Sequence, residues 1–293
     1  MFSRTNSMGM QRGASSRILS MAVAFGLTVM ASFTTAQANT LDKVKQRGKL
    51  ICGTVTTTEP LGFRDHKTGQ AVGFDVDICR AIAEHLGVGF EQQSLSLESR
   101  IPELQLGRVD ILSALLGYTA ERAKQIEYTH SHFQVPIRIF VPVDSALKTM
   151  DDIDGQKIGS GVSSTPDYWL RRSYPKAVSV TYRDASATFL ALQQGKIAGQ
   201  GITQTSGARF LNAGKGSYRY LNGTLGWEPN ALGIKKGETA FLAEVNKALE
   251  TMEAEGEIDR IWNRWFGPDT AYNIPRVKRL TPIDDVAEDM AKN

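Results

Sequence analysis

In the stretch Gly107 to Tyr128, GRVDILSALLGYTAERAKQIEY, one arginine is placed to do chemistry. The pattern predicts a buried strand over Val109 to Leu116, a tight turn at Gly117, and a helix capped by Thr119. Arg122 then falls in the first turn of that helix. A cation there sits at the positive end of the helix dipole and is disfavoured unless an anion joins it. Free backbone N–H groups at a helix start attract the same anion. A guanidinium fork beside them, past the end of a strand, is a carboxylate site. The plainer alternative is a solvated arginine on a helix face.

Other reactive groups are sparse. Glu228 and Glu59 are acids available for proton transfer. No Ser-His-Asp order, H-E-x-x-H pattern or phosphate loop accompanies them. Cys52 falls on a first strand and Cys79 on the following helix, so they form either one disulfide or two buried free thiols. Two cysteines and scattered histidines do not make a zinc site. His130 and His132, two apart, read as ordinary surface or hinge residues. No cofactor or metal is expected.

The positioning elements form a βαβα rhythm. Lys49 to Thr54 reads as a strand, Asp75 to Leu86 as an amphipathic helix stopped by Gly87, Gly89 to Ser94 as a strand, and Glu98 to Leu106 as a helix. A second rhythm runs from Lys157 to Leu221, reached by an extended crossing at Pro136 to Val143 and left by another at Trp227 to Ala231. Helices at Thr239 to Glu255 and Glu257 to Trp265 follow. This order implies an α/β chain with two mainly parallel sheets flanked by helices. Such sheets bind ligands beyond the carboxyl ends of their strands, and a cleft between lobes is a favoured ligand site. The expected organisation is lobe 1 from 39–135 and 231–266, lobe 2 from 136–230, and hinge segments near 132–136 and 226–231. A proline-bearing tail at 267–293 has no clear period and reads as a wrap or a partly disordered segment.

Residues 1–38 read as a secretory signal: Arg4, Arg12 and Arg17, an apolar run from Ile18 to Phe33, and a cleavage pattern ending at Ala38. They hold three arginines and no acid, so the remainder has 31 basic and 31 acidic residues. The basic balance of the whole chain lies in this leader and is no argument for nucleic acid. No later segment is apolar enough to span a bilayer, so the exported chain is expected to be periplasmic, monomeric and not inserted in the membrane.

The succession GKL, GFDVDICRAIAEHLG, RIPELQLGRVDIL, YTAERAKQIEY and IDRIWNRWFG resembles the solute-binding proteins of polar amino-acid ABC importers over roughly residues 40–267. The resemblance implies the two-lobe periplasmic-binding-protein fold of type II, joined by a two-segment hinge. It also implies capture of a small carboxylate-bearing solute, a polar amino acid or derivative, by hinge closure, and delivery to a membrane permease. By resemblance, Arg122 and Thr119 grip the ligand carboxylate from lobe 1. Ser163, Ser164 and Thr165 do so from lobe 2, with Pro166 opening a helix that Thr165 can cap. Arg100 matches a position that holds a side-chain carboxylate in acidic-amino-acid binders, or else makes a surface or interlobe salt bridge.

Three departures bear on the ligand. Thr203 stands where many relatives have an ammonium-binding Asp, and no acid occurs from Ala185 to Trp227. A buried ammonium needs acceptors, leaving Glu228, with Glu59 and Glu98 in lobe 1. Thr58 and Leu97 replace sandwiching aromatics. Leu115 and Gly117 stand where a Gly and a Thr are usual. The competing expectations are a dehydratase-like enzyme acting on a cyclic carboxylic acid, with Glu228 or Glu59 as acid or base, and a soluble ligand sensor for a membrane receptor.

Overall fold

The computed structural model describes residues 39–292; the expected leader and its cleavage point lie outside them. Helix α1 (Thr40–Arg47) starts where the Asn39 side chain accepts the Asp42 N–H and ends at Gly48, whose φ of 66° suits glycine. Strand β1 (Lys49–Val55) follows, then a small antiparallel sheet of β2 (Thr57–Thr58), β3 (Gly62–Arg64) and β4 (Ala71–Val72). Helix α2 (Phe74–His85) buries Val76, Ile78, Cys79, Ile82 and Ala83 against β1, and leads to β5 (Gly89–Leu95). The Cys52–Cys79 disulfide ties β1 to α2 and resolves the alternative between bridge and free thiols.

Helix α3 (Arg100–Gln105) begins two residues later than the apolar period suggests, because Ser96 and Ser99 bond each other in a turn ahead of it. The expected strand from Val109 to Leu116 shrinks to β6 (Ile111–Leu112). Its continuation fails because the Leu115 N–H goes to the Asp75 carboxylate at 2.8 Å and Leu115 turns left-handed at φ 50°. Helix α4 (Ala120–Ala123) is a single turn, capped by Thr119 as expected.

Strand β7 (Ile126–Pro142) is 17 residues long and runs from one lobe into the other. Beyond it a 3₁₀ turn at Met150–Ile153 opens a second set: β8 (Lys157–Gly161), α5 (Thr165–Ser173), β9 (Val178–Tyr182), α6 (Ala185–Gln193), β10 (Gly199–Thr203), α7 (Gln204–Ala213) and β11 (Tyr218–Tyr220). Strand β12 (Gly226–Lys235) returns antiparallel along β7, and α8 (Thr239–Ala254) and α9 (Glu257–Phe266) cover the first lobe.

The strand order β5-β1-β6-β12-β7-β10-β8-β9 places the crossing pair β12-β7 in the middle. Strands β5, β1 and β6 are mutually parallel on one side, and β10, β8 and β9 on the other. Each wing is therefore a parallel sheet of a two-lobe α/β fold, and the crossing pair joins them. The lobe-1 core gathers Phe74, Phe133, Phe241, Trp262 and Phe266. His132 corrects the expectation of an ordinary surface or hinge histidine: it is buried, stacked on Phe74 at 5.8 Å, with neither ring nitrogen partnered.

The tail is a wrap. Trp262 Nε1 donates to the Ile274 carbonyl at 2.7 Å, and Ser131 of β7 exchanges two backbone bonds with Thr281 at 2.8 and 2.9 Å. The Arg276 side chain is almost fully buried between Glu253 at 2.5 Å and Asp259 at 2.7 Å. Helix α10 (Ile283–Lys292) ends the described chain. Among the described residues no helix is long and apolar enough to cross a membrane.

Candidate functional site

The carboxyl ends of β6 and β8 meet where the lobes face each other. Lobe 1 brings Arg100 and Arg122; lobe 2 brings the turn Ser163-Ser164-Thr165. Both guanidiniums reach across to the same acceptor, the Ser163 carbonyl, Arg100 Nη2 at 2.8 Å and Arg122 Nη2 at 2.7 Å. Arg122 Nη1 also donates to the Gly117 carbonyl at 2.5 Å and to Thr165 Oγ1 at 3.3 Å. The lobes are thus closed upon each other.

Arg100 is neither a surface residue nor a salt-bridge partner. It is 2% exposed, and its remaining N–H groups bond the carbonyls of Leu97 at 2.8 Å, Ala114 at 2.9 Å and Leu115 at 2.6 Å. Burial, with the nearby Arg122 charge, pushes its pKa down to about 9. Facing the two cations are two buried acids. Asp75, held by the Leu115 N–H, is pushed up to about 7, chiefly by burial. Glu228 is likewise raised by burial, offset by hydrogen bonds from Thr165 and Asn230, the latter at 3.1 Å.

Beside Glu228 lies a cavity of about 50 Å³ lined by Thr58, Leu97, Leu115, Ser164, Thr165, Gln200, Thr203, Ser206 and Glu228, with Gly161, Pro166, Ala185, Gly201 and Ile202. The structure thus gathers Thr58, Leu115, Ser164, Thr165, Thr203 and Glu228 on one wall system. Gly117 makes room for it: a Cβ there would sit 2.5 Å from both Glu228 Cγ and Thr165 Oγ1. Arg122, Thr119 and Ser163 lie on the outer side, along a rim groove of about 450 Å³.

Two local expectations are corrected. Ser164, not Thr165, caps α5, its hydroxyl accepting the Asp167 N–H at 3.3 Å, and Pro166 is the second helical residue; the Thr165 hydroxyl is therefore free to face Arg122 and Glu228. Glu59 does not reach the cavity: it lies beside the Tyr272 hydroxyl and the Arg209 guanidinium. With α4 only one turn long, little helix dipole acts at Arg122, so its anion affinity rests on the guanidinium itself. Thr203 caps α7, accepting the Ser206 N–H at 3.4 Å and donating to Ser206 Oγ at 3.0 Å.

Sequence reasoning missed Asp75 and Gln200. An acid within the apolar face of α2 was the signal for Asp75. Gln200, flanked by glycines in β10, is 1% exposed; its Nε2 bonds the Ala185 carbonyl at 3.0 Å and its Oε1 has no partner.

An interlobe cavity with Glu228 on its wall and Arg122 along the neighbouring rim groove can take a small charged solute. Residues 50–268 match the bacterial extracellular solute-binding proteins, family 3. The chain belongs to that family. This solute-binding protein is 27% identical to the ABC transporter glutamine-binding protein GlnH of Bacillus subtilis over 80% of its own length and 88% of the relative's. It is 30% identical to an ancestral arginine-binding protein solved bound to arginine, with a TM-score of 0.70, over 75% of this chain and 99% of that one. It is 28% identical to the ancestral amino acid-binding protein AncCDT-1, described as a precursor of cyclohexadienyl dehydratase, with a TM-score of 0.71 and coverage of 78% and 100%.

Proposed function

We propose that this solute-binding protein is the periplasmic capture component of an amino-acid ABC importer. It takes a polar amino acid or derivative between its lobes and presents the closed form to a membrane permease. The reading is carried by the pairing of Arg122 and Thr165 across the closed cleft, with the buried Glu228 on the same wall. The ligand carboxylate takes up the Arg122 bonds now held by Gly117 O and Thr165 Oγ1, and is completed by the N–H groups at the start of α5. Glu228 receives the α-ammonium in place of the absent lobe-2 acid, as a buried cation requires. Arg100 does not touch the ligand; it closes the lobes by its bond to Ser163. Ligand binding shifts the population from open to closed forms.

The test is calorimetric titration of amino acids into the natural protein and Arg122→Met. Binding to the natural protein and a loss of ~2–5 kcal/mol in the variant are expected, the scale for unpairing a buried charge. Equal affinity in both would remove Arg122 from the site.

A second reading is favoured by Glu228, whose burial keeps its proton to higher pH than an ordinary carboxyl. That suits a general acid acting on a cyclic carboxylic acid. Turnover of such an acid, abolished in Glu228→Gln, would establish it.

A further inference from the structure

Glu228 receives the α-ammonium in the capture reading, and the neighbour that holds its carboxyl is Asn230. The two residues stand two apart on β12, whose pairing with β7 is regular from Gly226 to Asn230 and slips only beyond it. Their side chains therefore leave the strand on the same face. Asn230 is 4% exposed, and its Nδ2 donates to Glu228 Oε1 at 3.1 Å and to the Glu228 carbonyl at 3.3 Å. A carbonyl can only accept, which identifies the atom facing it as the amide nitrogen.

Glu228 has competing partners. Its side chain lies over Gly117, and the Thr165 hydroxyl is its other hydrogen-bond partner. The Arg100 and Arg122 guanidiniums, the Asp75 carboxyl and the Tyr128 hydroxyl act on it through space. The bonds of both arginines go to carbonyls and to Thr165, and none goes to Glu228. A carboxylate drawn into a pair with either guanidinium would have its charge already answered and would offer less to an ammonium. The Asn230 amide is a neutral donor, so it orients the carboxylate without cancelling its charge.

The two hydrogen-bond partners differ on opening. Thr165 belongs to α5 and leaves with lobe 2. Asn230 stays, because the Pro229 carbonyl accepts the Tyr118 N–H at 2.8 Å and the Ala231 N–H donates to the Leu116 carbonyl at 3.3 Å. These bonds fasten this part of β12 to the lobe-1 turn that carries Gly117. In the open form the Asn230 amide is thus the bond that fixes Glu228 before a solute arrives, and such pre-organisation raises affinity.

We propose that Asn230 is a positioning residue for amino-group recognition: its amide holds the Glu228 carboxylate at the cavity wall, away from the arginines, where it answers the α-ammonium of the solute. This rests on the capture reading above and deepens it.

Two measurements test it. The first needs no solute: carbon-13 NMR of the Glu228 carboxyl, assigned with Glu228→Gln, followed from pH 4 to 9 in the natural protein and in Asn230→Leu. Loss of a hydrogen bond to the charged form should raise the midpoint by about one pH unit. In the natural protein the Asn230 side-chain amide should shift through the same midpoint as Glu228. An Asn230 amide that ignores the Glu228 titration overturns the proposal without recourse to any variant.

The second measurement is calorimetric. The twenty standard amino acids and L-cystine are titrated, and the tightest binder is compared with its counterpart lacking the α-amino group from pH 5.5 to 8.5. The natural protein should prefer the amino acid. In Asn230→Leu the pH profile of that preference should move upward by about one pH unit, a ~10-fold smaller preference on its acid side, with affinity for the counterpart within a few-fold. Equal weakening of both compounds at every pH marks a merely structural role and overturns the proposal while amino-acid capture stands. No preference in the natural protein overturns the Glu228 assignment and the proposal with it, and no binding of any amino acid overturns the capture reading as well.

Discussion

Gly117→Ala tests the closed cleft by steric means alone, removing no charged or hydrogen-bonding side chain. Gly117 belongs to lobe 1 and is not at positive φ, so alanine is unstrained there as far as the backbone is concerned. Its Cβ would stand 2.5 Å from Thr165 Oγ1 of lobe 2 and 2.5 Å from Glu228 Cγ of the crossing strand. Relief to an ordinary separation of ~3.5 Å requires Thr165 to retreat by about 1 Å. That retreat carries Arg122 Nη1···Thr165 Oγ1 beyond hydrogen-bond range from 3.3 Å and stretches Arg122 Nη2···Ser163 O from 2.7 Å. The ligand displaces the Arg122–Thr165 bond in any case, so what the liganded form loses is the exposed Arg122–Ser163 bond, about 1.5 kcal/mol, the low end for a bond from a charged group. That bond exists only in the closed form, so its loss appears in affinity. The dissociation constant for the tightest-binding amino acid should rise ~10-fold. Small-angle scattering at saturating ligand should show a larger radius of gyration than the natural protein. A Gly117→Ala variant that binds and closes like the natural protein would refute the wedge argument, and with it the importance of the Arg122–Ser163 contact.

Three further outcomes are expected. Replacing Cys52 and Cys79 by alanine removes a link that closes a loop of sequence separation 27, and chain-entropy reasoning gives ~3–4 kcal/mol of lost stability, read as a lower denaturant midpoint. Arg276→Met leaves Glu253 and Asp259 with the exposed Arg279 alone as partner; a loss of ~1.5–3 kcal/mol, the scale of hydrogen bonds to charged groups, is expected, and proteolysis should cut the tail first. His132 and Asp75 give pH dependences of opposite sign. His132 is pushed down to about 3 by burial and by Arg276, so its contribution is intact above its unfolded value and is lost as pH falls from about 6.5 towards 3. Asp75 is raised to about 7 by burial, so its contribution is fully present below its unfolded value and is lost as pH rises from about 4 to 7. In urea titrations from pH 4 to 8, His132→Phe should flatten the acid side and Asp75→Asn the neutral side. Parallel curves in all three proteins would contradict both.

The alternation of elements is legible in the sequence because each helix carries its own stop and its own apolar face. The expected helices at Thr239 to Glu255 and Glu257 to Trp265 match the observed ones within a residue or so for that reason. Where an expectation fails, a side chain has taken a backbone partner, from elsewhere in the fold or from the adjoining turn. Asp75 claims the Leu115 N–H and cuts β6 short, and Ser96 with Ser99 delays α3. Such bonds have no local apolar period. The candidate site is legible as a set of residue types, since Arg122 and Thr165 carry a charge and a hydroxyl in the first turns of helices and Glu228 a carboxyl in a crossing strand. The role of Arg100 is not readable in the same way, because a guanidinium satisfied by four carbonyls looks in sequence like one awaiting an anion. Gln200 is silent because an amide between glycines signals nothing until its neighbours are known.

Backbone strain and electrostatics converge on one small region of this solute-binding protein. Leu115 on lobe 1 and Ser163 on lobe 2 both adopt left-handed backbone, at φ 50° and 54°, a conformation that disfavours side chains. Each turns its carbonyl towards a guanidinium. Leu115 O accepts from Arg100 at 2.6 Å, and Ser163 O accepts from Arg100 and Arg122 together. The two carbonyls do not have the same dependence on closure. The Leu115 bond lies within lobe 1, and the Asp75 carboxylate fixes the adjoining N–H, so that geometry persists when the lobes part. Ser163 receives its donors only from the opposite lobe. Opening therefore hands the Ser163 carbonyl to water, and closing exchanges that water for two charged donors. Arg100 links the two states: built into lobe 1 through three carbonyls, it offers its fourth bond to lobe 2 in a fixed direction. The closing contact is thus pre-organised on one side and strained on the other, so the equilibrium between open and closed forms is set by the fold before any solute arrives. The solute then supplies the difference through Arg122 and Glu228.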